Sequence, residues 1–237
     1  MTKKFTGIVI EVSQIGADKN LTLLTAEEGL VNIQVENSGE NILKFSFAKE
    51  VFTFGYFEVL DLGGFLYNLE RCTVLETFEE IKTSSHKKAE AVNVIAVVKE
   101  IAQYNDKDTP LFYELISAFK ILNYENLPQN LILTKLLSSI CASFAQKLNF
   151  DLCASCQTPL NPPVYLNFEN NVFVCPHCKS KNYARLNIST FQTLQKLLNT
   201  PYQNLKTLKL ANFEKLLQLL KENYRFKVSE RFKFYCE

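Results

Sequence analysis

The sequence predicts an α+β fold in several parts: an N-terminal OB-type β-barrel, then an α-helical domain, with a small four-cysteine ribbon inserted among the helices. Three observations carry this. All seven glycines lie in the first 64 residues and all seven prolines at or beyond Pro110. The apolar pattern changes near residue 80 from a period of two to the helical period. Finally, Cys153-Ala-Ser-Cys156 and Cys175-Pro-His-Cys178 stand eighteen residues apart. We therefore divide the chain into a barrel over 1–80, a first helical part over 81–150, a ribbon over 151–185 and a second helical part over 186–237.

The barrel comes first. Thr6, Ile8, Ile10 and Val12 alternate with Phe5, Gly7, Val9 and Glu11, as a strand requires because successive side chains point to opposite faces. Leu21–Leu24, Leu30–Val35, Val51–Leu62 and Phe65–Leu75 read as further strands. Gly16, Glu28-Gly29, Ser38-Gly39 and Gly63-Gly64 punctuate them. About five short strands in 75 residues suit an OB-type barrel, and an SH3-like barrel reads similarly.

The helices follow. Ala91, Val94, Ile95, Val98 and Ile101 form one apolar stripe. Thr109-Pro110 predicts an N-cap followed by proline in the first turn, opening a helix with Leu111, Leu115, Phe119 and Leu122 inside. Leu133, Leu136, Leu137, Ile140, Phe144 and Leu148 make the longest stripe, which runs directly toward Cys153. Ser189-x-x-Gln192 predicts a capping box. Phe213, Leu216, Leu217, Leu220 and Tyr224 line a last helix. These stripes read as core.

The cysteine frame C-x2-C-x18-C-x2-C lets two tight turns each aim a pair of thiolates at one ion. Four thiolates suit tetrahedral Zn2+. We expect one structural zinc on Cys153, Cys156, Cys175 and Cys178, because a closed shell leaves no position for substrate. His177 reads as a solvent-facing knuckle residue. Cys72, Cys141 and Cys236 are too scattered for a disulfide frame, which points to a reducing cytoplasm. A run long and apolar enough to span a membrane is not found.

Enzymatic motifs are absent. The sequence has no phosphate-binding G-x-x-x-x-G-K-[ST], no G-x-S-x-G, no H-E-x-x-H, and none of the H-x-E that a zinc deaminase needs. His86 and His177 are its two imidazoles, one in a Ser-Ser-His-Lys-Lys stretch that reads as linker. A non-enzymatic protein is expected.

Charge and aromatics point to an anionic polymer. Residues 1–80 hold 6 Lys/Arg against 13 Asp/Glu, a net −7, whereas residues 186–237 hold 9 against 4, a net +5; 81–150 and 151–185 stand at +2 and +1. A basic end beside an acidic one fits an anionic partner at one end. Phe52, Phe54 and Tyr56 alternate along one strand face, with Phe45, Phe47 and Tyr67 nearby. They either stack unpaired bases or fill the barrel. Arg225-Phe-Lys227-Val-Ser-Glu-Arg231-Phe-Lys233 interleaves cations with aromatics, for phosphates, for an acidic peptide, or as an amphipathic tail. Lys3, Lys4, Lys87, Lys88, Arg225, Lys227 and Lys233 are the candidate nucleic-acid contacts.

Together these elements resemble the RecO family of bacterial DNA-repair mediators. Thr6-Gly-Ile-Val-Ile10, Gly16 and Leu23-Leu-Thr25-x-Glu27-x-Gly29 look like its first hairpins. Phe52-Thr53, Glu58-Val and Gly64-x-Leu66-Tyr67-x-Leu69 look like its later strands. Leu136-Leu137 through Leu148-Asn-Phe150-x-Leu152-Cys153, Val174-Cys175-x-x-Cys178 and Ser229-x-Arg231-Phe232 look like its long helix, second knuckle and terminal segment. The resemblance implies a cytoplasmic, nucleoid-associated mediator that binds single- and double-stranded DNA. It would hold the acidic tail of single-stranded DNA-binding protein (SSB), join RecR, and help RecA load on coated gaps, with strand annealing as a further activity. Lys215, Lys221, Arg225 and Arg231, near Phe213, Leu217 and Tyr224, are the cations expected for that tail. Two departures stand out. Where the family often has a basic loop, this chain reads Glu36-Asn-Ser-Gly-Glu40-Asn. The glycine usual after each knuckle is Gln157 and Lys179. An RNA-binding OB and zinc-ribbon protein of translation or ribosome maturation, or a protein-binding scaffold, would share much of this physics.

Overall fold

A computed structural model of the chain describes residues 1–36, 45–63, 66–104, 106–145, 148–208, 210 and 213–235. Most of the acidic loop after Glu36, Gly39, Gly64-Phe65 and Cys236 lie outside the described residues. The chain forms two compact units, Met1–Lys88 with Val94–Tyr124, and Ala89–Asn93 with Glu125–Glu237.

The first unit is built on five strands: β1 (Thr2–Ile15), β2 (Asp18–Thr25), β3 (Gly29–Val35), β4 (Phe54–Asp61) and β5 (Leu66–Glu76). They close in the order β1-β2-β3-β5-β4, with β4 returning antiparallel to β1 and β3 parallel to β5. This five-stranded Greek-key closure is the OB-type barrel. Phe5, Val9, Leu21, Leu23, Val31, Ile33, Val35, Phe57, Val59, Tyr67 and Leu69 fill it, with Phe45 and Ala48 closing one end. Fully burying one such side chain stabilises the fold by about 1.5–3 kcal/mol relative to leaving it exposed.

The opposite face of these strands is apolar too. Register places Leu30 against Leu24, Leu24 against Ile8, and Ile8 against Phe54, so the four form one row across the outside of the barrel. Leu30, Leu24 and Ile8 are buried there. The same unit holds α1 (Glu79–Thr83), the two ends of α2 (Ser85–Ile101) and α3 (Thr109–Tyr124), and α3 packs on this row. Phe112 of α3 meets Phe54, and Phe119 meets Phe52 and Phe78. Sheets covered on both faces read as continuous hydrophobic runs rather than clean alternation, which is why both registers of β1 are apolar.

Several local expectations are corrected. Phe52 is not in a strand: it has φ 72°, in the turn before β4. Asp108, not Thr109, caps α3, its carboxylate accepting the Leu111 N–H at 3.0 Å. The Ser84–Lys88 stretch expected as linker leads into and forms the first turn of α2. Here Lys87, which is 6 % exposed, donates to the Asn123 carbonyl at 2.9 Å.

The second unit contains α4 (Leu131–Ser143), a three-stranded antiparallel sheet of β6 (Val164–Asn167), β7 (Val172–Val174) and β8 (Ala184–Leu186) in the order β7-β6-β8, then α5 (Ile188–Asn199) and α6 (Phe213–Lys227). α4 ends at Ser143, so Phe144 and Leu148 of the long stripe lie beyond it. Its N-terminal amides, which lack partners within the helix, are satisfied from a distance: the buried Glu90 carboxylate accepts the Asn130 and Leu133 N–H groups at 2.8 and 3.0 Å. α5 is capped by Asn187, which accepts the Thr190 N–H at 2.8 Å, two residues before the expected Ser189.

The sheet is tied into the helices by polar and aromatic contacts. Asn171, in the β6–β7 turn at φ 49°, donates to the Cys141 carbonyl at 3.1 Å and accepts from Asn223 of α6 at 2.7 Å. Phe173 of β7 packs on Phe150 and on Phe191 of α5, with ring centroids 5.2 and 5.1 Å apart.

Candidate metal centre and charged surfaces

The two knuckles are shaped by backbone hydrogen bonds. In the first, the Cys153 N–H donates to Thr158 at 2.8 Å and the Gln157 N–H donates back to Cys153 at 2.9 Å. This turn puts Gln157 at φ 59°, a left-handed conformation that glycine adopts without cost. In the second, the Cys178 N–H donates to Cys175 at 3.1 Å, and the residue after it, Lys179, needs no positive φ. The departures from glycine are therefore unequal: Gln157 bears conformational strain and Lys179 does not.

All four sulfurs lie within 4.8 Å of one another. Cys156 and Cys175 Sγ are 3.7 Å apart, and a tetrahedron of about 2.3 Å zinc–sulfur bonds has edges of about 3.8 Å. The donor set fits one metal ion. The Cys175 N–H already points at Cys153 Sγ, 3.3 Å away. Burial pushes the Cys153 thiol up, but the N–H groups of Cys156, Cys175 and Ser155 outweigh it and hold the pKa below the ordinary range. Hydrogen bonds from Thr158 bring Cys156 down to about 6. Sharing hydrogen bonds with Cys156 and Cys175 pushes Cys178 up to about 12. The remaining described cysteines are different. Burial pushes Cys72 to about 11 and Cys141 to about 12, as for inert core thiols.

The candidate DNA contacts have unequal local surroundings. Lys3 belongs to a network at the barrel mouth, 3.0 Å from Glu28 Oε1, 3.1 Å from the Tyr67 hydroxyl and 3.5 Å from Asp61. The hydrogen bond to Glu28 raises its pKa well above the usual lysine range. Lys4 sits 3.8 Å from Glu58 and over the Tyr56 ring. Lys87 is buried and caps α3, so it is removed from the nucleic-acid set. Lys88 and Lys233 are exposed. Lys227 donates to the Glu169 carbonyl.

The expected C-terminal tail is a folded segment. Tyr224, Phe232 and Phe234 form an aromatic cluster. Arg225 donates to the Phe232 carbonyl at 3.1 Å and lies over Phe234, as does Lys221, which is 7 % exposed. Of the cations expected for a peptide tail, Lys221 and Arg225 therefore pack this segment. Arg231 is exposed, and Lys215 lines a cavity of about 340 Å³ with Arg185, Asn187, Thr190 and Leu219.

The barrel aromatics divide. Phe45 and Tyr67 fill the interior, Phe52 and Phe54 meet α3, and Tyr56 and Phe47 remain at the surface, 37 % and 61 % exposed. Sequence reasoning missed Arg185 and Lys179. Lys179 lies over the Tyr165 ring at 4.6 Å, and Tyr165 is the register partner of Arg185. The signal that would have found them is the lack of any Asp or Glu from Asn170 to Phe213.

Comparison with known proteins agrees with this architecture. The family described as "Recombination protein O C terminal" matches residues 84–234. DNA repair protein RecO of Bacillus pumilus (strain SAFR-032) is 23 % identical over 190 residues, covering 80 % of this chain and 73 % of its own. DNA repair protein RecO of Clostridium perfringens (strain 13 / Type A) is 21 % identical over 195 residues, covering 82 % and 79 %. With an OB-type barrel ahead of the matched region and the four-cysteine cluster inside it, the chain belongs to the RecO family.

Proposed function

We propose that this protein is a non-enzymatic mediator of DNA repair and recombination. The observation that carries the reading is the RecO family match over residues 84–234, joined to an OB-type barrel. In this reading the protein binds single- and double-stranded DNA, is recruited by the acidic tail of SSB, joins RecR and helps RecA load on coated single strands, with annealing as a second activity. Its place is the bacterial cytoplasm at the nucleoid. One structural Zn2+ on Cys153, Cys156, Cys175 and Cys178 would order the ribbon, its four thiolates leaving no position for a substrate. The ribbon bounds at residues 150 and 185 belong to the same proposal, whereas residue 80 separates strands from helices inside one compact unit. No described helix is long and apolar enough to cross a membrane.

Charge supports a division of labour. The first unit holds 12 Lys/Arg against 17 Asp/Glu, net −5, and the second 14 against 8, net +6. Affinity for a polyanion comes chiefly from cations that displace its counterions, so the second unit is the better DNA holder. Arg231 remains an accessible cation for an acidic tail, since an arginine fork can grip a carboxylate in two parallel hydrogen bonds.

The test is titration of the zinc-loaded chain with single-stranded DNA, duplex DNA, RNA of equal length and an SSB-tail peptide over a salt series. Salt-dependent binding of DNA and binding of the peptide are expected. RNA bound at least tenfold more tightly than DNA at every salt concentration would favour the RNA-binding alternative.

A further inference from the structure

The stretch from Asn170 to Phe213 contains six cations, Lys179, Lys181, Arg185, Lys196, Lys206 and Lys209, and no carboxylate. Lys206 is matched by Glu125 from outside the stretch, at 2.7 Å. Arg185 forms no ion pair among the described residues, and neither does Lys215, which lines the same cavity. A surface built from such a stretch keeps its positive potential, because the carboxylates that neutralise most lysines are missing from its own sequence.

Two elements turn this charge into a track. Tyr165 of β6 and Arg185 of β8 are directly opposed in the sheet, so their side chains share one face. Lys179 closes over the Tyr165 ring at 4.6 Å from its centroid and donates to its hydroxyl at 3.2 Å. The face therefore presents cation, aromatic and cation side by side. Beyond Arg185 lies the cavity of about 340 Å³, with Lys215 of α6, the N-terminal residues Asn187 and Thr190 of α5, and an apolar edge from Leu219. The positive end of the α5 dipole adds to the same sign.

We infer that the face from Lys179 through Tyr165 and Arg185 to Lys215 is the path of a single-stranded nucleic acid, with one backbone phosphate seated between Arg185 and Lys215. The inference deepens the proposed DNA-binding function and rests on it. Single strands repeat phosphate and base, and their receptors repeat cation and aromatic. A row of cations interrupted by a tyrosine matches that repeat. An acidic peptide tail offers a compact group of carboxylates with apolar neighbours, and this cavity has Leu219 as its one aliphatic lining residue. The volume sits near the lower end of small-ligand sites, about 300 Å³, which suits a sugar-phosphate unit.

The experiment uses the full-length, zinc-loaded chain. Fluorescence anisotropy is measured with oligo-dT, oligo-U of the same length and an acidic peptide ending in apolar residues, each over a salt series. Lys179→Gln, Arg185→Gln and Lys215→Gln change exposed or half-exposed side chains, and zinc content and melting temperature check that each variant is intact. Each should flatten the log–log salt slope for the oligonucleotides by about 0.7, the loss of one phosphate contact on a single strand. Tyr165→Leu should weaken binding about fivefold or more with little change of slope. Lys196→Gln, at the other end of α5, should change nothing. The arm that binds tighter names the natural polymer. Wild-type slope and affinity in all three cation variants would overturn the track and leave DNA binding to another surface. Failure of the wild type to bind either oligonucleotide would overturn both the track and the function it rests on. Loss of peptide binding alone in the variants would make the face a peptide surface and overturn the inference.

Discussion

At the scale of single residues, Gly29 is the most constrained position of the barrel. It has φ +64°, and a Cβ there would stand 2.1 Å from the Asp106 carbonyl oxygen and 2.6 Å from that of Gln103. Backbone cannot yield as a side-chain end can. Gly29→Ala is expected to cost on the order of 3 kcal/mol, combining left-handed strain with displacement of the segment that covers the barrel. A lowered midpoint in urea with an unchanged slope would register it. Glu90 makes a second prediction. Burial pushes its carboxyl above the usual range, despite the N–H groups of Leu133, Asn130 and Ile132 that favour the charged form. The folded chain therefore holds a proton there more tightly than the unfolded chain. That contribution to stability is complete below the ordinary value of 4.5 and is lost as pH rises through the raised one. Glu90→Gln cannot ionise, so whatever its offset at low pH, its stability relative to wild type should improve on going to neutral pH. Unfolding midpoints of both proteins at each pH decide it, and a constant difference would refute the shift.

At the scale of elements, the contrast between strands and charges explains what was legible. Strand periodicity and glycine punctuation are local, so β1 to β5 were readable to within a few residues, and the C-x-x-C pairs specified the cluster directly. Caps were misplaced by one or two positions because Asp108-Thr109 and Asn187-Ile-Ser189 each offer competing capping side chains; only geometry shows which one reaches the free amide. The stripe beyond Ser143 misled because apolar spacing alone does not prove burial: Phe144 is exposed and Leu148 only half-buried, past the end of the helix. Cations were the least legible. Whether Lys3 meets a carboxylate depends on Glu28, a strand away, and whether Lys221 and Arg225 meet Phe234 depends on the last segment folding back on its helix. Arg185 escaped because a segment boundary at residue 185 divided the carboxylate-free stretch between two charge counts. The ribbon itself yields a third prediction. Zinc–thiolate binding contributes apparent folding free energies of about 10–16 kcal/mol in small peptides, and the helices on either side have cores of their own. If the proposed zinc sits there, Cys175→Ser should abolish a one-per-chain zinc and expose residues 151–185 to protease while α4, α5 and α6 persist. Metal analysis and limited proteolysis report the two effects; zinc retained in full by the variant would remove Cys175 from the ligands.

At the scale of the whole molecule, the composition break near residue 80 is not a break in packing. The outer row Leu30, Leu24, Ile8 and Phe54 is as apolar as the barrel interior, and Phe112 and Phe119 of α3 pack on Phe54, Phe52 and Phe78. A fragment ending at residue 80 would lay that row open to water. At about 25 cal/mol per Å² of apolar surface, uncovering even a few such side chains costs a large part of a domain's net stability. A fragment ending at Tyr124 keeps α3 over the row, together with the Asn123 side chain that accepts the Ile81 N–H at 3.2 Å and the carbonyl that accepts Lys87. The 1–124 fragment is thus expected to be monomeric and to melt cooperatively, and the 1–80 fragment to associate or stay unfolded. The longer fragment then becomes the proper test of where DNA binds. It retains the OB-type barrel and the surface aromatics Tyr56 and Phe47 but carries the acidic surplus. It should bind single strands at least tenfold more weakly than the full chain at equal salt, with a shallower salt slope, because the unit holding most of the cations is gone. Full-length affinity in a well-folded 1–124 fragment would instead make the barrel face the main site, and base stacking rather than counterion release its chief source of affinity.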